Sequence, residues 1–176
     1  MKALALFAVA VLTAVSLHAE DPATFEVGGL TFKRPAAWGW VQVSSPMRKA
    51  QLKVPGSKPD QNADITFFHF GAGGGGDIDA NTKRWLGQFR SAAGAEKTEA
   101  KEIAGKKVTL VSTQGTFSSG MPGGPTTPLE NQALLGAIVD GGEGNVFIKM
   151  TGPAEVVNGA REPFLQFITD ALTAKK

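Results

Sequence analysis

The run ADITFFHF at residues 63–70 constrains this chain more than any other stretch. Counting by two, Ile65 and Phe67 fall on one face of a strand while Phe68 and Phe70 fall on the other. A strand with large apolar side chains on both faces has to be covered on both, so its sheet is expected to lie between two further layers. The strand breaks at five glycines within residues 71–76, and Asp77 and Asp79 follow at once. From there Ile78, Trp85, Leu86 and Phe89 recur at helical spacing, which predicts an amphipathic helix over 78–93. A strand–glycine joint–helix unit is thus the centre of the predicted fold.

The flanking segments read as antiparallel structure. Gly28 and Gly29 between the alternating runs FEV and LTFK mark a tight hairpin, because both tolerate the positive φ of a primed turn. WGWVQV, with Trp38, Trp40 and Gln42 on one side, and MRKAQLKV (47–54) are expected strands, as is the polar run at 96–103. KKVTLVSTQGTF (106–117) is a long β-branched strand. Residues 131–140 and 145–152 pair about the turn at Gly141, Gly142, Glu143 and Gly144. Pro153 opens a closing helical region that Asn158, Gly159 and Pro163 are expected to interrupt. Hairpin-linked strands with two principal amphipathic helices give an α+β class: a mainly antiparallel sheet sandwiched by those helices.

Residues 1–19 predict a secretory signal peptide. Lys2 supplies the charged start and LALFAVAVLTAVSL an apolar core too short for a comfortable membrane span. Cleavage is expected after Ala19, with Ser16 the alternative. Residues 20–176 then form one domain, large enough to bury a core unaided. Without Lys2, 17 basic side chains (18 less one) face 16 acidic ones, a net charge of +1. No long-range field results, so neither nucleic acid nor an anionic membrane is implied, and no stable membrane insertion is expected after cleavage. The chain has no cysteine, which excludes disulfides, thiolate catalysis and cysteine zinc sites. With the signal peptide at 1–19, a periplasmic or extracellular destination is expected, and the composition is compatible with it.

Three stretches carry a further resemblance. PAAWGWVQVSSPMRKAQLKVP, ITFFHFGAGGGGDIDANTKRWLGQF and LLGAIVDGGEGNVFIKMTGP before a final helix resemble a group of secreted bacterial proteins without an assigned activity. Their strand and helix order is similar to that of PsbP-like α/β/α sandwich domains. The resemblance covers nearly all of residues 20–176 and is most specific at Asn81, Arg84, Trp85 and Gln88 and at residues 149–153. It implies a non-enzymatic accessory or binding domain, and it brings no catalytic residues.

The motifs themselves point mostly to architecture. Gly71, Gly73 and Gly76 satisfy G-x-G-x-x-G between a strand and a helix, the context for dinucleotide binding. Asp77 and Asp79 at the helix start would repel a phosphate there, and the downstream hairpins offer no parallel crossover. Asp77, Asp79 and Asn81 open a calcium-loop pattern, D-x-D-x-N, but Thr82 replaces its glycine and Gln88 its final glutamate. Helix capping explains the same acids. His69, the one histidine outside the leader, has no G-x-S-x-G partner motif and shares a face with Ile65 and Phe67. Glu99 with Glu102 and Glu155 with Glu162 read as solvated charge, and Arg84 is expected to pair with an acidic neighbour. A candidate binding surface comprises Trp38, Trp40, Met47 and Arg48 at one sheet end, Arg84 on the helix, and Met121 in the Gly/Pro-rich loop at 118–128, with core packing of at least one tryptophan the alternative. The combined expectation is an exported, soluble, non-enzymatic accessory or binding protein without catalytic residues or a cofactor. Its partner is an exported protein or small ligand. The alternative is a weak divalent-cation-binding protein, or a carboxylate-based enzyme, using the 71–81 Gly/Asp loop with Glu130.

Overall fold

The computed structural model describes residues 21–118 and 127–174. The chain opens with the hairpin β1 (Thr24–Val27) and β2 (Leu30–Lys33), whose register pairs Val27 with Leu30 about Gly28 and Gly29. Both glycines take positive φ, 58° and 74°, as the primed turn requires. Then come β3 (Gly39–Trp40), β4 (Arg48–Val54), β5 (Ala63–His69), the helix α1 (Ile78–Leu86) and β6 (Phe89–Ser91). The strands β7 (Lys97–Ile103), β8 (Lys106–Phe117), β9 (Leu129–Asp140) and β10 (Asn145–Pro153) lead to α2 (Ala154–Gly159) and α3 (Arg161–Thr173). Among the described residues no helix is long and apolar enough to cross a membrane.

Eight strands form one sheet in the order β3-β4-β5-β10-β9-β8-β6, with β7 also paired to β8. Every pairing is antiparallel. The two faces of β5 part as their residues require. Ile65 and Phe67 enter a core closed by the first hairpin and by Phe164, Phe167 and Ile168 of α3. Phe68 packs on the opposite cluster of Trp85, Phe89, Val111, Leu134, Ile138 and Phe147, which α1 covers. The sheet is therefore sandwiched, with α1 on one face and α2, α3 and the β1–β2 hairpin on the other.

Three expectations need correction. The central helix ends at Leu86, not at 93: Gly87 caps it, donating its N–H to the carbonyl of Lys83 at 2.8 Å. Phe89 then reaches the second core from β6, where it pairs with Phe117. Edge pairing with β8 has outweighed the helical pattern. Pro163 does not interrupt the last helix but lies in its first turn, where a missing N–H costs little; the break is at Ala160. Of WGWVQV only Gly39 and Trp40 pair as strand.

Topology also places α1. The chain leaves β5, crosses above β10 and β9, and comes down at β6 on the far side of β8. The helix thereby roofs the two middle strands.

Candidate functional site

Alternation along β10 decides what α1 looks down upon. Phe147 and Lys149 point to the α1 face, with Ile148 and Met150 in the other core. Register sets Phe68 and Ile138 on either side of Phe147, and Thr66 and Gly136 on either side of Lys149. Gly136 leaves the space that Trp85 fills: a Cβ there would stand 2.5 Å from the indole Cζ3. A glycine inside a strand here marks a close approach of another element. Beside the seated Trp85, α1 and strands β5 and β10 line a cleft of about 380 Å³.

Phe68, Phe70, Phe147, Trp85 and Met47 form the apolar wall of this cleft, and Asn81, Arg84, Gln88 and Lys149 supply its polar groups. Met47 and Phe70, at 59% and 42% exposure, stand at its lip. The Lys149 ammonium donates to Gln88 Oε1 and lies 5.6 Å from the centroid of the Phe117 ring. Burial, and then the neighbouring Arg84 guanidinium, lower its pKa from 10.5 to about 8. Arg84 donates to Asn81 Oδ1 instead of meeting the expected acid. Asn81 is held in turn: its amide donates to the carbonyls of Gly75 at 2.7 Å and Asp77 at 2.8 Å. Among the described residues neither cation has a carboxylate within ion-pair distance; the ion pairs present centre on Glu99.

The remaining sequence candidates are dispersed. Asp77 accepts the Ala80 N–H at 2.7 Å as the N-cap of α1, and Asp79 is exposed in the first turn. Among the described residues no group of three His, Asp or Glu side chains is placed to hold a metal ion. The all-antiparallel pairing gives Gly71, Gly73 and Gly76 no parallel crossover. His69 Nδ1 lies 3.2 Å from the carbonyl oxygen of Asn145 at the sheet end. Trp38 is a correction to the predicted surface: it is 4% exposed and packs on Phe167 with ring centroids 5.3 Å apart. Trp40 is half-buried against Phe25, and Arg48 turns to Gln51 at 2.8 Å. Met121 lies outside the described residues. Of the predicted surface, Arg84 and Met47 line the cleft. The sequence reading missed Phe147 and Lys149 as parts of it, and Gly136 as the seat of Trp85. A glycine interrupting the apolar run LLGAIVD was the available signal.

No family model matches this sequence, and no curated protein matches it. Solved structures do. The solution structure of cyanobacterial PsbP from Synechocystis superposes with a TM-score of 0.52 at 11% identity, covering 89% of this chain and 96% of that one. The fold is PsbP-like. A crystal structure of a protein of unknown function from Pseudomonas aeruginosa gives a TM-score of 0.48 at 14% identity, covering 87% of this chain and 97% of that one. In the PsbP-like frame of this chain, the aromatic cleft lies between the single helix of one face and strands β5 and β10.

Proposed function

We propose that the chain is an exported, non-enzymatic binding protein. Residues 1–19 are removed on export to the periplasm or cell exterior, residues 20–176 act as one domain, and the cleft beneath α1 takes a small ligand. The observation that carries the reading is the cleft's composition. Three phenylalanines and a tryptophan line a concave space whose few polar side chains are joined in pairs, Arg84 to Asn81 and Lys149 to Gln88. That is the general make-up of small-molecule sites, of which about 300–1,000 Å³ is the usual range. The PsbP-like fold is compatible with this reading but does not itself fix a function.

Two measurements test it. Amino-terminal sequencing of the exported protein is expected to begin at Glu20; a soluble product that retains Met1 removes the export reading. Titration with 2-naphthamide, an uncharged flat probe, is expected to move the Trp85 indole N–H resonance and to leave that of Trp38 in place. No movement at Trp85, or movement at Trp38 instead, overturns the assignment of the cleft.

A further inference from the structure

Resting on that reading of the cleft, we propose that its ligand is a small amphipathic carboxylate. The flat apolar body lies among Phe68, Phe147 and Trp85, and the carboxylate lies against Lys149 and Arg84.

Lysine carries three N–H donors and arginine five, and neither carries an acceptor. One contact of each is spent inside the protein, Lys149 on Gln88 and Arg84 on Asn81. Each contact takes one of the two lone pairs on the amide oxygens of Asn81 and Gln88, so donors outnumber the acceptors left for a ligand. Asn81's own N–H donors go to Gly75 and Asp77. The polar end of the cleft therefore presents donors, and a group that only accepts completes it.

Charge points the same way. A mostly buried ammonium beside a guanidinium is costly unless an anion joins them. Among the described residues no carboxylate does so. The sequence from Phe117 to Pro128 contains no acidic residue either. Around Lys149, β5 presents Thr66 and β9 presents Gly136, neither of which titrates, and α1 presents Arg84. The missing negative charge is one that a ligand can bring.

Shape selects among anions. The planar guanidinium of Arg84 matches the two oxygens of a carboxylate. At about 380 Å³ the space is near the lower end for ligand sites, which suits one or two rings better than a long acyl chain. Aromatic walls favour a flat apolar body, and they give nothing to a bare inorganic ion.

The test uses a pair of probes alike in shape and different in charge, 2-naphthoate and 2-naphthamide, titrated calorimetrically near pH 7. Naphthoate is expected to bind at least about tenfold more tightly, since hydrogen bonds to charged groups are the stronger kind. Arg84→Gln and Lys149→Met are each expected to weaken naphthoate about tenfold more than they weaken naphthamide. Arg84 lies on the exposed side of α1, so its variant keeps the test open should the lysine variant misfold. Equal affinity for the two probes, or variants that weaken both alike, overturns the carboxylate assignment while leaving the cleft as a binding site. Inorganic phosphate binding more tightly than naphthoate also overturns it. Binding of neither probe overturns the reading of the cleft itself.

Discussion

Replacing Lys149 by methionine is expected to make the protein more stable at neutral pH while weakening its hold on an anion. The side chain is mostly buried, and burial together with Arg84 lowers its pKa from 10.5 to about 8. That fall corresponds to on the order of 3 kcal/mol spent on keeping the ammonium charged inside the fold. Below about pH 8 the lysine is charged in both states, and the folded state bears the whole cost. Between about pH 8 and 10.5 the unfolded chain binds the additional proton, so stability of the parent rises with pH. Above that window both states are neutral and the cost is gone. Methionine has a similar length and no charge, so it escapes the penalty throughout. Against this stands the lost contact with Gln88, about 1–1.5 kcal/mol. The net gain is about 1–2 kcal/mol at pH 7, or roughly 3–6 °C in Tm for a domain of this size. Urea melts of both proteins at pH 7, 9 and 10.5 check it, and the absence of tyrosine removes one group that would otherwise titrate at the upper end. A variant less stable than the parent at pH 7, or a gap that stays constant to pH 10.5, would refute the reasoning. Lys149 would then be a structural anchor.

Gly136→Ala is expected to cost about 1–3 kcal/mol by overpacking, because its methyl would meet Trp85 at 2.5 Å, and to shift the Trp85 emission as α1 is pushed from the sheet. Phe67→Ala removes a fully buried ring that packs on Phe25, Phe32 and Phe167 and should cost about 3–5 kcal/mol in denaturant melts. Asp77→Ala strips the N-cap of α1 and should lose about 1 kcal/mol, whereas Asp77→Asn should retain most of it; equal losses would point to a role other than capping. Thr82→Val should gain about 1 kcal/mol, since the buried Thr82 Oγ1 has no hydrogen-bond partner. A destabilised valine variant would show that this hydroxyl is in use.

Local chemistry made much of the architecture legible. Turn residues bracket β8, so Lys106–Phe117 could be read directly from the chain. The Gly28–Gly29 hairpin, the double-faced β5 and the cap at Asp77 rest on neighbours within a few residues, and each is found where the pattern puts it. The end of α1 was not legible, because Phe89 fits a helical stripe as well as it fits the edge of β8. Its choice depends on Phe117, 28 residues away in the chain, as the register of β6 shows.

The site depends still more on distance. Lys149 reads as one polar position inside the apolar run 146–150, and Gln88, its partner, lies 61 residues earlier. Trp38 and Arg84 looked equally available on paper, yet the first is closed in by Phe167 of the last helix and the second stands over the cleft. Periodicity, turns and caps are short-range effects, so the class, the hairpins and the need to cover both faces of the sheet are written locally along the chain. Strand order and register are long-range choices. Only they set Gly136 beneath Trp85, and so left two cations facing an aromatic cleft without an acid between them.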